Sequence, residues 1–292
     1  MYATAKDGTK IYYETAGETG TPILFIHEFG GNYDAWEPQM SHFARRHRCI
    51  TYAARGYAPS DIPADMEMYS QAIAVDDAIA VLDDLGIEKA HIVGLSMGGF
   101  ATVHFGLSYP ERALSLTVAG AGYGCEKETE EYFRGVSLTV AEKFETDPVG
   151  FAEVYGRGAS RVQFENKDPR GHLDFVARLA RHDKVGAANT MRGVQARRPS
   201  FWDLEDKLKI CTLPTLVMVG DEDDHCLQPG IYLKKTMPAS GLLILPKTGH
   251  TLNLEEPVLF NLHLAEFIAQ AEAGAWGLRD PRANPAQVMR TD

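Results

Sequence analysis

The chain predicts an α/β fold: a mostly parallel sheet, covered by helices on both faces, with a helical lid inserted late in the sheet. Three observations carry this. Short apolar runs, "PILFIH", "CITYAA", "AHIVGL", "ALSLTVAGA", "LPTLVMVG" and "GLLILP", alternate with stretches of helical period, the pattern of strands joined by crossover helices. The runs are continuously apolar, as strands buried on both faces must be. The alternation stops once, over residues 126–200, where the chain is charged, helix-prone and without a convincing strand. A helical block placed between two parallel strands falls over the strands' C-terminal edge, where open sheets bind their ligands.

Taken in order, "DGTKIYYETAG" alternates as a strand does, with Asp7 and Gly8 as its turn, and "PILFIH" follows as a buried strand. "YDAWEPQMSHFARRH" reads as a helix and "CITYAA" as a strand. "SQAIAVDDAIAVLDDLG" is the clearest amphipathic helix, with Ile73, Val75, Ile79, Val81, Leu82 and Leu85 apolar and Gly86 as its stop. "AHIVGL" is a strand, "GGFATVHFGLSYP" a helix, and "ALSLTVAGA" the strand before the inserted block. Beyond it come "LPTLVMVG" (strand), "PGIYLKKTM" (helix), "GLLILPKTGH" (strand into loop) and "PVLFNLHLAEFIAQA" (helix). The division expected is a core of residues 1–125 and 201–273, a helical lid at 126–200, and a C-terminal tail at 274–292 docked through Trp276.

Composition narrows the function. The chain has 292 residues, 45% of them hydrophobic, with a net charge of −11. Such an acidic chain is a poor partner for nucleic acid or anionic membrane surfaces. Cys49, Cys125, Cys211 and Cys226 are scattered, with no paired spacing, and read as reduced thiols. The N-terminus has no apolar leader and no stretch is long enough to span a membrane, so the reading is a cytoplasmic protein acting on a small molecule. The oligomeric state stays open, homo-oligomers included.

The stretch "LFIHEFGG" looks first like a zinc helix, since His27 and Glu28 begin an H-E-x-x-H pattern. The fifth position is Gly31, and the segment leaves a strand for a glycine loop, so no helical face aligns ligands. "DEDDH" fits no calcium loop. The glycines of "VAGAGYG" begin no βαβ unit and carry no dinucleotide site. Neither a metal nor a cofactor is expected.

"GLSMGG" is different. Gly94, Ser96 and Gly98 fit G-x-S-x-G between a predicted strand and a predicted helix. A strand turning that sharply into a helix exposes the serine hydroxyl at the helix N-terminus, where the dipole favours developing negative charge. A serine nucleophile needs a base, and the base an orienting acid. Of the ten histidines only His250 follows a strand, the elbow and the acidic loop "VGDEDDHC". His42, His47 and His263 fall on presumed surface helices, His91 starts a strand, and His104 lies in the helix after the elbow. The acid is Asp221, Asp223 or Asp224.

With "DGTKIYYETAG", "HEFGG", "ARGYAPSD", "GLSMGG", "GDED" and "GH" in this order, the chain resembles the α/β-hydrolase superfamily over roughly residues 5–272. The resemblance implies an eight-stranded sheet and the triad Ser96, Asp223 and His250, with Asp221 and Asp224 as alternatives for the acid. It implies an oxyanion hole formed by the backbone N–H groups of Phe29 and Met97, worth about 3 kcal/mol each in barrier. It makes His27 the organiser of that loop. Glu28 departs from the pattern, standing where glycine is usual. Either it turns away and pairs with a base, Arg55 being the nearest candidate, or it faces the pocket.

A serine nucleophile excludes the relatives that use aspartate, epoxide hydrolases and haloalkane dehalogenases. "GLSMGG" resembles the enol-lactonases in particular, which implies hydrolysis of a small ester or lactone through an acyl-enzyme. Carbon–carbon hydrolases of ring-fission products are the second reading, and a ligand-binding receptor on the same scaffold is an alternative of another class. The inserted block carries 13 basic and 12 acidic residues against −11 for the whole. A solvated surface explains this, and so does a cap that favours an anionic substrate. Tyr132, Phe133, Phe144, Tyr155, Phe164, Phe175, Phe201 and Trp202 read as the core of the lid rather than as substrate contacts.

Overall fold

A computed structural model of the protein describes residues 1–283. Eight strands form one sheet: β1 (Tyr2–Thr4), β2 (Lys10–Ala16), β3 (Pro22–Ile26), β4 (Arg48–Tyr52), β5 (Ala90–Leu95), β6 (Ala113–Ala119), β7 (Thr215–Gly220) and β8 (Ser240–Leu245). Their order is β1-β2-β4-β3-β5-β6-β7-β8. The pairs β1–β2 and β2–β4 are antiparallel and all the others parallel, so the sheet is mostly parallel. The order doubles back at β3 and β4, which places the C-terminal end of β3 next to that of β5. Leu24 is in register with Ile92, and Ile26 with Gly94.

Alternate side chains of the strands enter two cores, as a period of two requires. Leu24, Ile26, Ile92, Leu116, Val118 and Val217 pack on one face, against α2 (Gln71–Asp84), α3 (Met97–Ser108) and α10 (Asp224–Thr236). Ile23, Phe25, Val93, Leu95 and Met218 pack on the other, against α1 (Glu37–Phe43) and α12 (Pro257–Glu272). The helix predicted at 70–86 is α2, capped by the Ser70 hydroxyl, which accepts from the Ile73 N–H at 3.1 Å. The helix predicted to begin at Pro229 begins at Asp224 instead, with Pro229 in its second turn.

Between β6 and β7 lie α4 (Glu130–Thr146), α5 (Pro148–Gly156), α6 (Val162–Lys167), α7 (Pro169–Leu179) and α8 (Lys184–Asn189). The last continues as a π-helical turn over Thr190–Gln195. Phe144, Leu179, Met191 and Val194 of this insert share a third core with Phe29, Tyr57, Tyr69 and Met97, so the insert is packed onto the sheet's C-terminal edge. Two further helices, α9 (Glu205–Ile210) and α11 (Leu252–Glu255), flank β7 and α12. Trp276 docks as expected, edge-on to Phe267 at 4.7 Å and donating to the Ala239 carbonyl at 2.8 Å. The rest of the predicted tail, from residue 284 on, lies outside the described residues. Among the described residues no helix is long and apolar enough to cross a membrane.

Candidate active site

The site is assembled where β3, β5, β7 and β8 end. Ser96 follows β5 directly with φ 55° and ψ −110°; Lys247 is the other non-glycine residue at positive φ among the described residues. Such a conformation costs about 1–3 kcal/mol and persists only where packing over-determines it. Here it does: a Cβ on Gly94 would lie 2.0 Å from the Gly98 carbonyl oxygen, and a Cβ on Gly98 2.0 Å from that of Ile26. The Ser96 N–H donates to Ala119 O at 2.8 Å, tying the turn to β6. Its side chain stands at the start of α3.

His250 is presented by the loop after β8. Its Nδ1 lies 2.7 Å from Asp223 Oδ2, and its backbone N–H donates to Ser160 O at 2.9 Å. Asp223 is fully buried and also accepts from the Tyr123 hydroxyl at 3.1 Å. Burial would raise the Asp223 carboxyl, but the His250 charge and hydrogen bond, aided by Cys226 and Tyr123, hold it below its ordinary value. Of the three carboxylates weighed from sequence, Asp223 is the one on His250. Asp221 accepts from the Thr248 N–H at 3.1 Å, and Asp224 is exposed at the start of α10. Asp223, Cys226 and His250 also form a group whose ligand atoms lie within 4.8 Å of one another. Burial pushes the Cys226 thiol well above its ordinary value, so the trio serves a His–Asp pair better than a cation.

The loop after β3 is pinned by His27. The Ala54 N–H donates to Nε2 at 3.0 Å, so Nδ1 carries the proton and donates to Glu28 O at 2.7 Å. Burial pushes His27 down to about 4, which keeps this tautomer neutral. Among the described residues, no protein group accepts from the N–H of Phe29 or of Met97. Both flank the elbow, and the Phe29 carbonyl is held from behind by the Tyr57 hydroxyl at 3.1 Å.

Glu28 does not pair with Arg55, contrary to the sequence expectation. It is 3% exposed and binds Arg161, which is 2% exposed, in the bidentate manner: Nη1 donates to Oε1 at 3.0 Å and Nη2 to Oε2. Arg161 Nη1 also reaches the Thr251 hydroxyl, beside His250. Arg55, after β4, turns instead to α2 and to the loop between β1 and β2. It binds Asp77 at 2.9 and 2.8 Å and Asp7 at 3.2 Å, and it takes no part in the cavity that holds Ser96. The missed signal was Asp77. It stands four residues after Ile73 and four before Val81, on the buried stripe of α2, and a charge there demands a buried partner.

Ser96 and His250 open into a cavity of about 450 Å³, within the range of small-molecule sites. Phe100, Tyr123, Gly124 and His225 of the core line it too, and the rest of its wall comes from the insert. Tyr132, Phe133 and Tyr155 line it, whereas Phe144, Phe164, Phe175 and Phe201 are buried as core and Trp202 stacks on Tyr232. The aromatic block therefore divides between packing and cavity wall. Sequence reasoning missed Tyr123, Ser160, Arg161, Thr251 and Arg198. Tyr123 sits among the glycines of "VAGAGYG", after β6.

Comparison with known proteins agrees with this fold. The family model of the α/β hydrolase fold matches residues 21–257. A putative 2-succinyl-6-hydroxy-2,4-cyclohexadiene-1-carboxylate synthase from Bacillus subtilis is 25% identical over 274 residues, covering 91% of this chain and 97% of its own length. The 3-oxoadipate enol-lactonase 1 of Acinetobacter baylyi is 26% identical over 259 residues, covering 88% of this chain and 92% of its own. The crystal structure of an enol-lactonase from Burkholderia xenovorans superposes with a TM-score of 0.81 at 21% identity, over 92% of this chain and all of that one; at that identity the likeness is one of fold. The chain belongs to the α/β-hydrolase family and is a hydrolytic enzyme.

Proposed function

We propose that the protein is a serine hydrolase that cleaves a small carboxylic ester or lactone through an acyl-enzyme. The observation that carries this is the placement of Ser96, in a strained elbow, and of His250, hydrogen-bonded to Asp223, on the wall of one cavity. With Nδ1–H donating to Asp223, His250 Nε2 is the nitrogen left to accept a proton. Ser96 Oγ attacks the carbonyl carbon as its proton passes to Nε2, and the carbonyl oxygen becomes an oxyanion facing the Phe29 and Met97 N–H groups. Collapse breaks the bond to the leaving oxygen, which takes the proton from Nε2. Water then attacks the acyl-enzyme with Nε2 again as base, and Ser96 leaves with the proton. Residues 126–200 act as a lid that supplies the outer wall, and the glutamate in the oxyanion loop is silenced by Arg161 rather than aimed at substrate.

The kinship with enol-lactonases by sequence and fold supports lactones alongside esters. The test is an organophosphonate probe followed by peptide mapping, beside a panel of short esters, lactones and dienoate ring-fission products. Labelling on Ser96 with ester or lactone turnover, and loss of about 10⁶-fold in turnover in Ser96→Ala, is the expected result. Labelling elsewhere overturns the assignment of Ser96, and turnover confined to the dienoates moves the reaction to carbon–carbon bonds.

A further inference from the structure

The cavity wall carries four residues charged at neutral pH: Glu130, Arg134, Arg161 and Arg198. Three of them are compensated. Arg134 lies 3.5 Å from Glu130 and 3.6 Å from Glu131, and Arg161 is held by Glu28. Arg198 has no carboxylate within 4.0 Å among the described residues. It follows the π-helical turn of the insert, and its guanidinium lies over the Phe100 ring at 3.6 Å. One N–H donates to Gln195 Oε1 and one to the Tyr123 carbonyl at 2.9 Å. A guanidinium has five N–H donors, so three remain without a protein acceptor among the described residues.

Arg198 is partly exposed, on the cavity side; a guanidinium partly taken from water without a carboxylate is costly, and stacking on an aromatic face offsets only part of that cost. Burial pulls this one down to about 10, the direction expected of a cation that lacks a counter-charge. Its location is close to the chemistry. The Phe100 N–H donates to Ser96 O at 3.0 Å, so the residue under Arg198 follows the nucleophile by about one helical turn, and both line the same cavity.

We propose that Arg198 anchors an anion subsite, and that the ester or lactone hydrolysed here carries a carboxylate a few bonds from the scissile carbonyl. The planar fork fits a carboxylate through two parallel N–H···O bonds. Such a group would supply the counter-charge the fold withholds and would register the scissile carbonyl over Ser96. Arg161 cannot substitute, because its fork is already filled by Glu28. The proposal rests on the serine-hydrolase reading for its substrate, and on Arg198 alone for its anion.

The test compares p-nitrophenyl hexanoate with the mono-p-nitrophenyl ester of adipic acid, which differ by one terminal carboxylate. The wild-type enzyme is expected to prefer the adipate ester in kcat/KM, mainly through KM. Arg198→Met should lower that preference by about 10- to 100-fold, the worth of a charge-assisted bond, and Arg198→Lys by less. A preference that is absent in the wild type, or unchanged in a folded Arg198→Met, overturns the proposal; where Arg198→Met does not fold, an unchanged preference in Arg198→Lys does the same. Calorimetric titration with adipate and with inorganic phosphate reads the subsite without turnover. Adipate should bind the wild-type protein and lose affinity in the Arg198 variants, and phosphate binding in its place overturns the carboxylate assignment. If neither ester is turned over while adipate binding still depends on Arg198, the hydrolase reading has failed and the anion subsite stands.

Discussion

Two buried arginines, one under the site and one over it, perform the same chemistry to different ends. Arg55 ties α2 to the segments beside it, binding Asp77 only 22 residues away together with Asp7 and the Met68 carbonyl at 3.2 Å. Arg161 belongs to the insert and binds Glu28 across 133 residues, on the loop that presents the Phe29 N–H. Its neighbour Ser160 accepts the His250 N–H, and Arg161 itself reaches Thr251. One pair staples the floor to itself. The other fastens the insert, as a roof, to the loops after β3 and β8 at once, so the position of the insert and the shape of the β3 loop are a single mechanical question. A glutamate beside an oxyanion would oppose it if left unpaired; held by Arg161 it becomes the roof's attachment point.

The sharpest way to break this comparison is at the floor. Asp223→Asn should lower kcat by about 10⁴-fold, through loss of the correct His250 tautomer. Asp221→Asn, whose carboxylate only receives the Thr248 N–H, should lose far less. Turnover of whichever ester Ser96→Ala fails to cleave checks both, and a severe loss at Asp221 would mean the floor is wired otherwise.

Next come the two arginines themselves. Removing one partner of a buried ion pair costs about 3–5 kcal/mol, so Arg55→Met and Arg161→Met should both show lowered Tm. Assayed well below either Tm, only Arg161→Met should lose kcat, because only it releases the oxyanion loop. The double variant Glu28→Met with Arg161→Met should regain Tm, as apolar replacements of buried pairs commonly do. Equal kcat losses in the two single variants would erase the distinction between floor and roof.

The smallest effect concerns acid. His182 sits between α7 and α8, edge-on to Tyr57 at 5.0 Å, and burial pushes it down to about 3. Its folded pKa therefore lies below the unfolded value of about 6.5. Below that value the unfolded chain takes up a proton the native protein refuses, so stability falls as pH drops from about 6.5 toward 3. His182→Phe should flatten the pH dependence of the unfolding free energy by up to about 1.4 kcal/mol per pH unit in that window. Urea unfolding at several pH values between 7 and 4 measures it, and an unchanged slope would place His182 in water.

The floor was legible because each of its parts obeys a local rule. Gly94 and Gly98 announce an elbow, since nothing larger lets the turn touch β3 and α3. His250 and the acidic loop announce themselves by following strands. Asp77 on the apolar stripe of α2 was legible too, and reading it would have claimed Arg55 and freed Glu28 to seek another base. Arg161 carried no such mark. It is one of nine arginines in a block of amphipathic helices, and helical period says which face is buried without saying against what.

The sequence by itself determined the parallel sheet, the order of its chemical parts and the site's position at the strand ends. Those follow from period, from glycine sterics and from the direction of crossover connections, all of which act over a few residues. Only the tertiary structure decided which of three carboxylates meets His250, which arginine meets Glu28 and which is left facing the cavity without a counter-charge. The first depends on how the loops after β7 and β8 meet, and the other two on how helices of the insert settle on the sheet edge, where Arg161 and Glu28, 133 positions apart, are brought within hydrogen-bond reach. Burial then makes each pairing or its absence costly, and so selective, in a way that no short stretch of chain encodes.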